Sequence, residues 1–119
     1  MGSYKKALVA ATGTTAGGVL SLLNPETADL IVTDLILDIK TASTGAATVD
    51  AGIASTVASA DNLIDGASVA AIATLNNVDS KGTNGKKAIK WPSGQYLTIT
   101  ASATTAGMVG NALIKWVRA

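Results

Sequence analysis

The chain has 119 residues, with no Cys, no His and a formal net charge of +1. The missing residue types exclude disulfide frameworks, cysteine nucleophiles, Ser-His-Asp triads and nearly all zinc or haem sites. Charged residues make up 14% and aromatic residues 3%, against a hydrophobic fraction of 48%. This predicts a single domain over residues 1–119 that lacks a basic surface for nucleic acid and is suited to an assembly.

Two stretches of the sequence, residues 7–25 and 91–114, carry no charged side chain. Glycine and threonine interrupt both, whereas a membrane-spanning helix needs about 20 predominantly apolar residues. The apolar run at 7–11 is also shorter than the core of a secretory signal. We therefore expect no membrane partner and no secretion by this route.

The hydrophobic pattern has a period of two along most of the chain, which indicates strands with one buried face. In chain order, the predicted strands cover residues 5–11, 18–23, 28–41, 48–54, 86–91, 95–103 and 108–118. The Ala-rich segment at 69–75 fits a strand and a helical turn equally. Loops are expected at 61–66 and 76–85. About eight strands at this spacing predict an all-β sandwich or barrel, of which we favour the antiparallel β-sandwich.

The two strongest strand predictions also specify which side chains are buried. The alternation in 28–41 and 48–54 places the odd-numbered positions in the core, namely Ile31, Thr33, Leu35, Leu37, Ile39, Val49, Ala51 and Ile53. If the two strands pair as a hairpin, the favoured register joins Lys40 with Asp50. The alternative is that these successive strands lie in opposite sheets.

Acidic residues offer one weak candidate for a metal site. Residues 61–66 are similar to the start of a calcium loop, but Leu63 and Ile72 stand where an EF-hand needs oxygen ligands. An irregular calcium site from Asp61, Asp65 and Asp79 is the remaining hypothesis. We favour the interpretation that these side chains cap turns. We expect no cofactor.

Four lysines form a basic cluster, Lys81, Lys86, Lys87 and Lys90. Residues 82–87 are similar to a phosphate-binding loop, but Lys87 stands where Ser or Thr should bind magnesium. The cluster therefore indicates a turn whose lysines keep a strand edge soluble. A contact with an acidic neighbouring subunit is the alternative.

Trp91 and Tyr96 flank a Pro-Ser-Gly turn and are the candidates for a glycan platform, because aromatic rings can stack on sugars. We favour the alternative in which Trp91 packs over the end of the sandwich, since tryptophan is mostly buried in proteins. Exposure of both rings on one surface would indicate glycan binding. Trp116 is predicted to fill the core or a subunit interface.

Five segments carry a resemblance to a known class of proteins: Asn24-Pro25-Glu26, residues 43–50, residues 61–66, residues 91–96 and the Gly-containing last strand. In these features the whole chain resembles the short all-β accessory virion proteins of tailed bacteriophages, of the capsid decoration and head-fibre type. The resemblance implies a jelly-roll-like, commonly trimeric subunit on the exterior of a phage head. Such a subunit binds the major capsid protein and is present in the host cytoplasm during assembly.

We therefore expect a non-enzymatic structural virion protein that stabilises or ornaments a phage head. The alternative is a tail or fibre module that binds host-surface glycans. A small domain with few charges and many aliphatic residues has more apolar surface than it can bury alone, which predicts a homo-oligomer. A trimer fits the three-fold sites of an icosahedral capsid.

The N-terminal residues 1–16 are either an attachment arm or an ordinary first strand. Tyr4 as an aromatic anchor, together with Lys5 and Lys6 facing acidic neighbours, are the candidate capsid contacts. The Gly- and Thr-containing residues 12–15 would act as the hinge of such an arm.

Overall fold

The alternating segments form two antiparallel sheets that pack face to face. The computed structural model describes residues 3–10, 18–103 and 105–119. These described residues form nine strands, β1 (Ser3–Ala10), β2 (Leu20–Leu23), β3 (Leu30–Thr41), β4 (Thr48–Ala54), β5 (Ile64–Ser68), β6 (Ala73–Asn76), β7 (Ile89–Trp91), β8 (Tyr96–Ala101) and β9 (Val109–Arg118). The front sheet has the order β1-β9-β3-β6, with β7 also paired to β3, and the back sheet has the order β2-β8-β4-β5. The predicted all-β, antiparallel β-sandwich is confirmed.

The strand order is that of a jelly roll. With β7 set aside, the described part of the chain has four strands in each sheet. The first and last strands, β1 and β9, are neighbours in the front sheet, and the next pair inward, β2 and β8, are neighbours in the back sheet. β3 and β6 complete the front sheet, and β4 and β5 complete the back sheet. This interleaving of two sheets is the jelly-roll arrangement, as the phage resemblance implies.

The predicted burial of odd positions holds for only the second half of β3. The buried side chains of β3 are those of Leu30, Val32, Leu35, Leu37 and Ile39. Ile31 and Thr33, which were predicted to be buried, are half-buried on the outer face instead. The register against β9 shifts between Val32 and Asp34. This β-bulge moves the core-facing side of the strand from even to odd positions.

β3 and β4 do not pair as a hairpin but lie in opposite sheets, which is the alternative that the sequence leaves open. β3 lies in the front sheet and β4 in the back sheet, so Lys40 and Asp50 are not cross-strand partners. Between the two strands, the backbone N–H groups of Ser43 and Thr44 donate to the carbonyls of Val69 and Ala106. The connection therefore crosses between the sheets. The predicted core face of β4 is confirmed, with buried Val49, Ala51 and Ile53.

One strand lies where the sequence predicts a loop. β5 overlaps the expected loop at 61–66 and pairs with β4, with a register shift between Val49 and Ala51. Gly66 within β5 has φ of +77°, a left-handed conformation that favours glycine over other residues. An Asp-Gly pair is a turn signal, which explains the incorrect prediction. The ambiguous segment at 69–75 is a strand in its second part, β6.

Two tryptophans and one glutamate close one end of the sandwich. The rings of Trp91 and Trp116 meet edge to face, with their centroids 5.9 Å apart. The Trp116 Nε1–H donates to Glu26 Oε2 at 2.8 Å, and the Arg118 Nε–H donates to Glu26 Oε1 at 2.8 Å. These two hydrogen bonds, first that of Trp116 and then that of Arg118, hold the pKa of Glu26 below its ordinary value.

We expect the Glu26→Gln substitution to destabilise the protein at neutral pH and to reduce its sensitivity to acid. Because the pKa of Glu26 is lowered from 4.5 in the folded state, its carboxylate stabilises the fold above that pH. This stabilisation is lost as the pH falls through the lower, folded-state pKa. Thermal melting of the natural protein and of the variant should give melting temperatures that differ at neutral pH and converge in acid. A difference that stays constant with pH would contradict the assignment.

Candidate functional site

The outer surface of the front sheet combines apolar and charged side chains. Its inner surface is set by the buried residues of β3 and β9, so the alternate residues of these strands and of β1 point outward. We call this outer surface the front face, and its residues are Tyr4, Lys6, Ile31, Asp34, Ile36, Asp38, Val109, Asn111, Leu113, Lys115 and Val117. The front face is the candidate functional site.

The register between the two central strands arranges the front face in cross-strand pairs. Residues directly opposite each other in β3 and β9 share one face of the sheet. The outward pairs are Ile31 with Val117, Asp34 with Lys115, Ile36 with Leu113, and Asp38 with Asn111. The middle of the front face therefore holds two apolar pairs, one pair of unlike charges and one polar pair.

Two shallow depressions lie on the front face. One has a volume of about 250 Å³ and is lined in part by Tyr4, Lys115 and Val117. The other has a volume of about 230 Å³ and is lined in part by Ile36 and Leu113. The relief of the front face is therefore low, which suits contact with another protein surface more than enclosure of a small ligand.

Charges of both signs lie on the front face, and β3 itself carries Lys40 beside Asp38. Lys6 and Lys115 belong to β1 and β9, and Asp34 and Asp38 belong to β3. The Asp38 carboxylate is 3.9 Å from the Lys40 ammonium. Across the described residues, no salt bridge joins Lys115 to Asp34, although their Cα atoms are cross-strand partners. Both charges therefore remain available to a binding partner.

The apolar part of the front face is unusual for a sheet surface in contact with water. An antiparallel sheet with one solvated face normally alternates apolar residues inward with polar residues outward. Here Ile36 and Leu113 occupy outward positions between charged residues. A patch of this kind, rimmed by charge, is typical of a protein interaction surface. The sequence signal was Ile36 between Asp34 and Asp38 on the polar side of the strand, and its functional value was not predicted.

The N-terminal candidates lie on an ordinary first strand. Tyr4, Lys5 and Lys6 belong to β1, which pairs with β9 along its whole length. All three side chains are exposed, Tyr4 by 70%. Tyr4 and Lys6 point to the front face, whereas Lys5 lies opposite the core residue Ile114, on the inner side of the sheet edge. Residues 1–2 and 11–16 of the predicted arm, which include the hinge predicted at 12–15, lie outside the described residues.

The three aspartates proposed for a calcium site accept hydrogen bonds from asparagines, and only that of Asp79 lies within a local turn. Asp61 and Asp65 both accept hydrogen bonds from Asn84, through its side-chain amide and its backbone N–H respectively. Asp79 accepts from the Asn76 side chain, in a separate turn. Within the part of the chain that the structure describes, no group of three acidic residues is close enough to hold a metal ion.

Asp50 is the acidic residue of this region that sequence analysis missed. Its Oδ1 accepts from the Gly66 N–H at 2.8 Å. Partial burial raises the pKa of Asp50, with smaller contributions from the negative charges of Asp65 and Asp61. Only the register of β4 against β5 brings these residues together, since Asp50 is distant from the others in sequence.

The glycan platform, the less favoured interpretation of Trp91 and Tyr96, is not formed. Trp91 is fully buried, and its Nε1–H donates to the carbonyl of Gln95 at 2.9 Å. Tyr96 is half-buried at the start of β8. A ring with no exposed surface cannot stack on a sugar, so the packing interpretation of Trp91 is confirmed. Trp116 is also buried, at the end of the core.

Three members of the lysine cluster precede β7, and the fourth, Lys90, lies within it. Lys86, Lys87 and Lys90 have exposed side chains, and Lys81 is half-buried. The Lys90 ammonium is 3.9 Å from Asp29. The lysines thus lie near a sheet edge, as expected for side chains that keep such an edge soluble. The alternative, a contact with an acidic neighbouring subunit, stays a hypothesis.

Comparison with known proteins gives no relative for this chain. A scan against protein-family models, a search of the curated proteins and a search of the solved structures each found no match. Over residues 3–10, 18–103 and 105–119, the structure has no helix with the length and apolar character needed to cross a membrane.

Proposed function

We propose that the protein is a non-enzymatic structural subunit that binds the exterior of a phage capsid and self-associates there. The observation that carries the proposal is the front face, on which the apolar pair Ile36 and Leu113 lies beside the unlike charges Asp34 and Lys115. Such a surface suits a subunit that is covered by other protein in its working state. The partners would be copies of itself and the major capsid protein.

The phage assignment has separate support. A jelly roll by itself does not specify a function, since the same architecture serves many. The resemblance of the chain to capsid decoration and head-fibre proteins supplies the assignment, and the strand order agrees with the fold that this resemblance implies. The low charged fraction of 14% is also consistent with a subunit that works inside a large assembly.

The alternative, a tail or fibre module that binds host glycans, is not supported at its best candidate site. It depended on Trp91 and Tyr96 being exposed together, and Trp91 is 0% exposed. We therefore propose capsid decoration by a self-associating subunit, for which capsid symmetry favours a trimer and the register of the front face favours a two-fold dimer as the alternative.

The proposal is tested by measuring the copy number of the protein in virions. Phage particles would be purified from lysed host cells by density-gradient centrifugation and analysed by quantitative mass spectrometry. We expect the protein to band with intact heads, at a fixed ratio to the major capsid protein. Absence from the particles would contradict the proposal. A few copies per particle would contradict it in favour of a tail location.

We expect the Lys5→Glu substitution to weaken binding to capsids by about tenfold. Lys5 is exposed at the free edge of β1, where its charge can meet acidic residues of the lattice. Co-sedimentation of purified protein with stripped particles measures the effect. Lys87→Glu, which makes the same charge change on an exposed residue before β7, is the matched control. Equal binding of the two variants would contradict a capsid contact at β1.

A further inference from the structure

We infer that the front face binds the front face of a second copy of this chain, around a two-fold axis that runs between β9 and β3 and nearly parallel to them. This inference deepens the proposed self-association and rests on the proposed function for its biological setting. It names the surface, the symmetry and the residues that meet across it.

The position of this axis follows from the sheet order. β9 and β3 are the central strands of the front sheet, with β1 on one side and β6 and β7 on the other. An axis between β9 and β3 passes through the middle of the face, so both copies would be covered from edge to edge. The rotation places β9 of one copy over β3 of the other. Two sheets stacked in this way lie about 10 Å apart, with strands inclined by about 30°.

The charges become complementary under this rotation. Because Asp34 and Lys115 are in register, turning β9 onto β3 places Lys115 of one copy opposite Asp34 of the second copy. The symmetry generates the same pair twice, as in any isologous interface. Neither charge is in a salt bridge within the described chain, so both can take part without breaking an existing ion pair.

The apolar pairs are complementary in the same way. Leu113 of one copy faces Ile36 of the second copy, and Val117 faces Ile31, because each is the cross-strand partner of the other within one chain. Asn111 faces Asp38 of the second copy, to which its amide can donate. These four outward pairs of the two central strands thus meet residues of matching chemistry.

A two-fold axis that lies in the plane of the interface but runs across the strands gives a worse arrangement. It places β3 over β3 and β9 over β9. If the axis passes over the pair of Ile36 and Leu113, Asp34 faces Asp38 of the second copy. If it passes over the pair of Asp34 and Lys115, Lys115 faces Lys115 of the second copy. Like charges that face each other across an interface are unfavourable, so the axis parallel to the strands is selected.

The front face is also large enough for a stable dimer. β9 has 10 residues and β3 has 12, which gives a length of about 35 Å at about 3.3 Å per residue. Four strand positions give a width of about 19 Å, and the outline is therefore about 650 Å² for each copy. Stable interfaces bury about 800 Å² of accessible surface per partner, and accessible surface exceeds flat outline. The lateral edge of β1, with Lys5, stays uncovered and free for a capsid.

The test mixes two variants that each fail to self-associate. In Lys115→Glu, two carboxylates oppose each other at both symmetric contacts, and in Asp34→Lys two ammonium groups do so. We expect the dimerisation affinity of each variant alone to be at least about tenfold lower than that of the natural chain. In an equimolar mixture, each of the two contacts joins unlike charges, so a heterodimer should form with nearly the natural affinity. Sedimentation equilibrium of the purified proteins gives these constants.

Three controls keep the result specific. The Lys87→Glu variant changes the same charge away from the front face and should dimerise as the natural chain does. Ile36→Lys should abolish the dimer, whereas Val57→Lys, at a residue 42% exposed in the loop that follows β4 of the back sheet, should not. Circular dichroism of every variant checks that the sandwich is folded.

A natural chain that stays monomeric at about 100 µM, a concentration above the Kd of most specific dimers, would overturn the inference. A trimer would overturn it in favour of the three-fold prediction. Failure of the mixed variants to associate would also overturn it. Because no particle is present, these outcomes are independent of the copy number measured in virions.

Discussion

Replacing Trp91 by alanine should destabilise the protein by about 3–5 kcal/mol. The side chain is fully buried at the end of the core and packs edge to face against Trp116, at a centroid distance of 5.9 Å. Its backbone carbonyl accepts from the buried Asn24 side chain at 2.9 Å. Truncation removes the largest fully buried side chain of the described core, and the rigid strands on both sides cannot close the cavity that remains.

Urea unfolding followed by circular dichroism measures the effect of Trp91→Ala. Tyr96→Ala, which truncates a half-buried ring nearby, is the matched control and should cost clearly less. Trp91→Phe should have an intermediate effect, because the ring stacks but cannot donate to the Gln95 carbonyl. A loss below about 1 kcal/mol for Trp91→Ala, the level of a surface change, would contradict the packing described for this end of the sandwich.

Replacing Asn77 by alanine should cost about 3 kcal/mol, because buried backbone groups lose their partners. Asn77 is 1% exposed. It lies beside the part of β3 that is left unpaired between β7, which pairs with residues 30–32, and β6, which pairs with residues 36–39. Its Oδ1 accepts from the Leu35 N–H at 3.0 Å. Its Nδ2 donates to the carbonyls of Lys86 and Lys87 at 3.0 and 2.8 Å. One side chain thus replaces a missing stretch of strand.

The matched control for Asn77→Ala is Asn84→Ala. Asn84 is exposed, and its side chain donates to Asp61 rather than to buried backbone, so this variant should lose less than about 1 kcal/mol. Amide hydrogen exchange at Leu35 gives a second readout, since that N–H should exchange faster in Asn77→Ala. Equal stability of the two variants would show that Asn77 does not complete the sheet edge.

Local alternation predicted the strands, and β4 has the bounds that were expected. Val49, Ala51 and Ile53 are buried as predicted because a period of two, with Asp50 on the other side, fixes one face. The sequence left the pairing of β3 and β4 open between a hairpin and opposite sheets, because pairing depends on which sheet each strand enters. Lys40 and Asp50 favour a hairpin by charge, but the chain crosses to the opposite sheet between them.

Irregular positions set the limit of sequence-based prediction here. The bulge between Val32 and Asp34 reverses the buried face without a Gly or Pro to mark it. β5 contains Asp65-Gly66, a turn signal that the pairing with β4 overrides. Both departures are tertiary effects, because a neighbouring strand determines the conformation.

The candidate site was only partly accessible to prediction for a related reason. Ile36 at an outward position was visible in the sequence, whereas its pairing with Leu113 depends on contact between strands far apart in the chain. The unlike pair Asp34 and Lys115 arises from the same register. Tyr4, Lys5 and Lys6 were predicted as contacts from residue type alone, and the structure shows that they divide between the two sides of β1.

Electron cryo-microscopy of purified virions tests the central claim most directly. We expect density on the outer surface of the head into which a sandwich with extents of 39 × 25 × 24 Å fits. Neighbouring copies should contact each other through their front faces, with Lys115 near Asp34 of the second copy. Heads that lack this density, or density for the protein confined to the tail, would contradict the account.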